Sequence, residues 1–219
     1  MNENRWHRIL TERMKTGPDE PWFDPNVAQE DHFVAPDLAL SQFFFSRRTA
    51  MALADALDDY ASPCCLCTPR LAAEWAQRGR DVTLLDIDGG FAKFPGFQQY
   101  DLRVPVAATQ DFDALIVDPP FFIPEPVQHA IDTLCGDRRP DLFLVFAVEY
   151  ERELLQRFSE YRLQPTTFDV RHNHVKASHQ SLFRLYASRP ELFAPECIAL
   201  RTTPAPATTK PAPAEPERA

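Results

Sequence analysis

Glycine is scarce in this sequence, six among 219 residues, and none lies where a phosphate-binding nucleotide fold needs one. The segment LCTPRL at 66–71 closes the first apolar run without a glycine, which excludes a backbone cradle for a pyrophosphate at that turn. Apolar runs are short as well. Nothing approaches the roughly 18–20 apolar residues that span a bilayer, and no apolar segment of signal-peptide type opens the chain. A soluble, cytoplasmic protein with no membrane partner is therefore expected. Five cysteines cannot all pair with one another, so reduced thiols are expected too. Positive charge is also in deficit: 23 Lys and Arg stand against 32 Asp and Glu, for a net charge of −9. Phosphate neutralisation supplies most non-specific nucleic-acid affinity, so this balance excludes a free-standing electrostatic binder. Any nucleic-acid contact must come from a local patch.

What is present is organised from the middle outward. Residues 201–219, RTTPAPATTKPAPAEPERA, hold no large apolar side chain and cannot repay their ordering entropy by burial. Residues 191–219 are read as a Pro/Ala-rich disordered tail. Residues 1–37 scatter Trp6, Trp22, Phe23 and Phe33 among charges and prolines. They are read as a short helix near 3–15 and an arm that packs on the core. Between the ends, helical spacing at 47–60 (Ala50, Leu53, Ala54, Leu57) alternates with short apolar runs. Strands are expected at 64–67, 82–88, 97–101, 113–118 and 142–148, with helices from Pro69 to about Arg78, at 125–135 and at 150–158. Two late strands near 164–171 and 181–187 flank a polar loop. Strands alternating with helices, closed by a hairpin, predict an α/β fold with a mostly parallel sheet covered on both faces.

In such a sheet, ligands bind beyond the carboxyl ends of the strands at a topological switch point. Three groups fall at those ends: Thr68-Pro69-Arg70, Asp86 with Asp88, and VDPPFF at 117–122. An acid after the second strand accepts ribose hydroxyls. Asp86 and Asp88 alternate, so one of them faces the crevice; Asp88 is the expected ribose acid and Asp86 the second. With no pyrophosphate cradle, a nucleoside without phosphates, such as S-adenosylmethionine, fits better than NAD or ATP. In VDPPFF, Asp118 and the carbonyl of Pro119 can both accept from one exocyclic amine, and the prolines hold that carbonyl by locking φ. An aromatic just beyond can stack on the base that bears the amine. The competing reading of the motif is a terminated strand with two core phenylalanines. Cys64, Cys65 and Cys67 do not make a metal site, because neighbouring strand residues face opposite ways and a soft-metal site needs about four converging ligands. No metal is expected, and no Ser/His/Asp or Cys/His arrangement supports covalent catalysis.

The ordered set LSQFFFS at 40–46, TPRL at 68–71, LLDID at 84–88, Tyr100-Asp101, DPPF at 118–121, Asn173-His174 and FRLY at 183–186 resembles a known family. These are the seven-stranded, Rossmann-like S-adenosylmethionine-dependent methyltransferases with a (D/N)PP(F/Y/W) motif. Within them the chain is similar to the branch holding a zinc-knuckle ribosomal-RNA N6-adenosine methyltransferase and an elongation-factor lysine methyltransferase. The resemblance spans roughly residues 38–190, the expected catalytic domain. It implies transfer of a methyl group to adenine N6 in RNA, with protein lysine as the alternative acceptor. A non-catalytic methyltransferase-fold module is the reading from a different class, and the intact DPPF argues against it. The zinc modules of the RNA enzyme are missing, so a separate targeting partner is expected.

The resemblance also distributes roles. Asp118, Pro119, Pro120 and Phe121 are the expected catalytic residues. Gln42, Thr68, Pro69, Asp86, Asp88 and Asp101 are the expected cofactor contacts. Phe122, Asn173 and His174 are expected on the substrate side. The loop RHNHVKASHQ at 171–180 adds Arg171 and Lys176 as the expected phosphate-facing cations.

Overall fold

The longest apolar run, LFLVFAV, folds as the longest strand of the sheet. In the computed structural model, which describes residues 33–120, 123–195 and 197, seven strands form one sheet. They are β1 (Pro63–Leu66), β2 (Thr83–Asp86), β3 (Phe97–Gln99), β4 (Ala114–Val117), β5 (Asp141–Ala147), β6 (Gln164–Pro165) and β7 (Phe183–Ala187), in the order β3-β2-β1-β4-β5-β7-β6. The pairs linking β3 through β5 are parallel, while β7 runs antiparallel between β5 and β6. Strands β1 and β4 are buried along their whole length. This explains why they read as continuous apolar runs rather than alternating ones.

Alternate strand residues serve opposite faces. Leu66, Val117, Leu144 and Phe146 pack with α3 (Pro124–Cys135) and α4 (Glu151–Arg157) through Val127, Ile131 and Leu154. Cys65, Ile116, Phe143 and Val145 pack on the other face with Leu53, Leu57, Leu71 and Trp75 of α1 (Arg47–Ala56), its end, and α2 (Pro69–Gln77). Ser46 starts α1 by accepting a hydrogen bond from the Thr49 amide at 3.2 Å, which satisfies one of the orphan donors of the first turn.

Several expected boundaries move. The helix expected over 47–60 stops at Ala56, ahead of Asp58 and Asp59, where acids oppose the helix dipole. The strand expected over 164–171 shrinks to Gln164 and Pro165, with one further bond from the Thr166 N–H to Leu185 O at 2.9 Å. The loop expected to be polar is largely buried at His172, Asn173, His174, Val175 and Gln180. Phe193 is buried against Phe143 and Phe168, so packing continues past residue 190. Phe33 lies edge-on to Phe44 at 5.2 Å and carries the Arg70 guanidinium over its ring at 4.9 Å. The helix expected near 3–15, Phe121, Phe122 and the tail beyond Cys197 lie outside the described residues. Among the described residues, no helix is long and apolar enough to cross a membrane.

Candidate active site

Strand β1 has parallel neighbours on both sides, β2 and β4, so the chain leaves the sheet in opposite directions there. A crevice opens at such a point. Just past β1, Cys67 adopts φ 59°, a left-handed conformation that costs a residue with a side chain about 1 kcal/mol or more. The turn made by glycine in phosphate-binding folds is made here by a strained cysteine. It delivers Thr68 to the N-cap and Pro69 to the first turn of α2, though Thr68 makes no side-chain cap.

The cleft at these strand ends, about 680 Å³ with its open mouth, is lined by Gln42, Phe43, Cys67, Asp86, Asp118, Pro119 and Pro120 among others, and among the described residues its lining contains no Lys or Arg. It brings together Gln42, Asp86, Asp118, Pro119 and Pro120 of the expected site. Asp86 is 6% exposed and accepts from the Asp88 amide at 2.9 Å. Burial pushes its carboxyl up to about 6, against the pull of that N–H. Asp88, the expected ribose acid, does not line the cleft. One of its oxygens accepts from the Gly90 amide at 2.7 Å and the other from Gln42 Nε2 at 2.9 Å. Gln42 in turn accepts from the Asp37 amide at 2.7 Å, so it fastens the segment before α1 to the end of β2. Asp86 thus lines the cleft, while Asp88 ties Gln42 to the turn at Gly90.

Asp101 also stands apart, its carboxylate gripping Arg103 at 2.7–3.0 Å. Its charge still reaches the site. Burial, then Asp86, Asp118 and Asp101 in turn, drive the Cys67 thiol well above its ordinary range, leaving an unreactive thiol. On the substrate side, Asn173 and His174 are buried. Arg171 is exposed and paired with Asp169 at 2.8 Å, and Lys176 is half-buried. The expected cationic loop is thus mostly packed, and its outermost cation already has a counter-ion.

The residue that sequence reasoning passed over is His172. Its Nε2 lies 2.9 Å from Asp118 Oδ2, while burial raises the Asp118 carboxyl and His172 opposes that rise. The sequence offered only a loop with three histidines, and nothing in it singles out the one that meets a carboxylate 54 residues away.

A family model described as "Probable N6-adenine methyltransferase" matches residues 36–190. The chain belongs to that family. It is an S-adenosylmethionine-dependent methyltransferase, and S-adenosylmethionine is its cofactor. No curated protein matches the chain. Among solved structures, it is similar to magnesium protoporphyrin IX methyltransferase from Synechocystis with bound S-adenosylmethionine (TM-score 0.47, 16% identity, covering 85% of this chain and 97% of that one). It is also similar to a putative RNA methyltransferase from Pyrococcus horikoshii (0.44, 14%, 83% and 94%). A third is a TehB-like S-adenosylmethionine-dependent methyltransferase from Corynebacterium glutamicum (0.43, 19%, 64% and 85%).

The cleft suits this family's cofactor. S-adenosylmethionine carries a sulfonium, an ammonium, a carboxylate, an exocyclic amine and hydroxyls but no phosphate. Among the described residues the lining offers carboxylates Asp86 and Asp118 and, beside Asp118, His172, with no Lys or Arg, a set that attracts cations and hydroxyl donors and repels phosphate.

Proposed function

We propose that this methyltransferase acts on the N6 amine of adenine in RNA, with Asp118 and the Pro119 carbonyl as the two acceptors for that amine. The observation that carries this reading is the arrangement of Asp118. Its Oδ2 is engaged by His172, and Oδ1 has no donor among the described residues. Asp118 and Pro119 sit in the same cleft as Asp86. An exocyclic amine is a neutral donor of two hydrogens, and a carboxylate oxygen beside a proline-locked carbonyl matches it.

When bound, S-adenosylmethionine supplies an electrophilic methyl group, whose bond to sulfur breaks with its electron pair as the amine lone pair forms the new bond. Asp118 and Pro119 hold the amine by its hydrogens, drawing the lone pair out of conjugation and aiming it into the cleft. Asp118 then holds the proton that the methylated amine loses. Asp86 accepts from the cofactor's hydroxyls, and Gln42 and Asp88 brace the wall. These residues act by positioning and by preorganised polarity, without a covalent intermediate.

A second reading, transfer to a protein lysine, is favoured by one observation: the carboxylate-lined cleft, with no Lys or Arg among its described residues, also suits a cationic amine. The test is in vitro transfer from deuterated-methyl cofactor to total RNA and to total protein from cells lacking the gene. Nucleosides and peptides are then resolved by mass spectrometry. Labelled N6-methyladenosine is the expected product; labelled methyl-lysine without it overturns the adenine reading. In the same assay Asp118→Ala is expected to lower turnover by about two orders of magnitude, the scale of one preorganised polar group, with cofactor affinity changed less than threefold by calorimetry. An equal loss of cofactor binding would make Asp118 a cofactor ligand instead.

A further inference from the structure

We infer that His172 is a positioning residue for methyl transfer, holding one oxygen of Asp118 so that the other faces the acceptor amine. The inference rests on Asp118 gripping that amine, a role that adenine and lysine acceptors share.

The backbone of His172 is fixed from three sides. It forms an antiparallel bridge with Phe45, flanked by Ser46 N–H to Arg171 O and Asn173 N–H to Phe44 O, each 2.8 Å. The Gln180 side chain closes the other side. Its Oε1 accepts from the His172 amide at 2.9 Å, and its Nε2 donates to the carbonyls of His172 and Val175 at 2.8 and 2.9 Å. The Arg171 amide adds a bond to Thr49 Oγ1 at 2.9 Å. His174, at φ 61°, turns the chain back toward Gln180.

The imidazole is placed as firmly. It packs between the rings of Phe45 and Phe183 at 5.3 and 5.1 Å, and its one hydrogen-bonding contact among the described residues is Asp118 Oδ2. For Asp118 to accept from the amine it must be ionised, and an ionised carboxylate only accepts, so this role requires the proton on Nε2. Among the described residues Nδ1 is buried without a partner, an arrangement that costs stability. A phenylalanine in this aromatic slot would avoid that cost but would leave Asp118 buried without its donor, the costlier outcome for a buried pair. A histidine here therefore serves the carboxylate rather than the core. The carboxylate it serves lines the cleft, and its other oxygen has no donor among the described residues.

The test compares His172→Phe, which keeps the ring and removes the donor, with His172→Gln, whose amide Nε2 reaches a similar point. At saturating cofactor, His172→Phe is expected to lower kcat at least about tenfold, the scale of one hydrogen bond, with cofactor Kd within twofold of the parent. His172→Gln is expected to recover most of that loss. In an Asp118→Ala background, His172→Phe should cost less than twofold more, because its effect runs through Asp118. A kcat within twofold of the parent for His172→Phe, or an undiminished effect in the Asp118→Ala background, overturns the proposal. Nitrogen-15 NMR of the unmodified, cofactor-free protein reads the pair without any assay. His172 should show the Nε2-protonated tautomer, with shifts that change in Asp118→Asn; an Nε2 without a proton overturns the proposal even if His172→Phe does not fold. Failure of the adenine reading would appear separately, as the wrong product in the mass spectrum with this NMR signature intact.

Discussion

Asp86 shows what the cleft costs a single residue. A carboxylate 6% exposed, raised to about 6 by burial from an ordinary 3.8, is held ionised at neutral pH against its environment. About two pKa units correspond to about 3 kcal/mol. The sign follows from linkage: the folded pKa is above the unfolded one, so the group favours folding in acid, and this is lost as pH rises through about 6. Asp86→Asn keeps an oxygen for the Asp88 amide and removes the charge. It is expected to stabilise the cofactor-free protein, by an amount that grows from about pH 4 to pH 6 and levels near 3 kcal/mol above, while weakening cofactor binding. Denaturant melts of both proteins across that range check the first expectation and calorimetry the second. A pH-independent difference would mean that Asp86 is not the strained acid.

Between elements, the decisive contacts are those that hydrophobic pattern cannot carry. The alternation of runs and spacings made the sheet legible, and the apolar stretches of β1, β4 and β5 could be read because strands buried on both faces need them. Asp118, Pro119, Pro120, Asp86 and Gln42 were legible as candidates because strand ends converge in any such sheet. The choice between Asp86 and Asp88 was not, since it turns on which acid Gln42 and Gly90 take up. Nor was His172, whose burial depends on Gln180 and on the left-handed turn at His174. Gly96 is a similar case. A Cβ built there would lie 1.8 Å from the Val82 carbonyl oxygen, far inside contact, so the backbone entering β3 passes too close to β2 for any side chain. Gly96→Ala is expected to push β3 away from β2 and cost about 2 kcal/mol or more. Thermal melts check this, and cofactor affinity should fall with it, because β2 ends in Asp86. A melt unchanged within a degree would mean that the strand is not held this tightly.

At the scale of the whole molecule, charge decides which acceptor can approach. The chain carries −9, the cleft lining has no Lys or Arg among the described residues, and Arg171, next to the cleft-lining His172, is neutralised by Asp169 at 2.8 Å. An RNA must set its phosphates against this field, relying on a few cations at the mouth, whereas a basic protein segment would be drawn in. The two acceptors therefore respond oppositely to one substitution. Arg171→Glu is expected to raise KM for RNA several-fold and to steepen with falling salt, with cofactor Kd unchanged because Arg171 stands outside the cofactor cleft. Asp169→Asn, which frees Arg171, is expected to lower KM for RNA, and raising salt should raise it in the parent, with a slope of about one or two in log–log form because few phosphates are contacted. For a basic protein substrate the signs invert: Arg171→Glu tightens, Asp169→Asn weakens, and salt weakens binding by screening the acidic surface. Steady-state KM for both substrates at two salt concentrations separates the cases, and a fall in KM for the true acceptor on Arg171→Glu would remove RNA as the substrate.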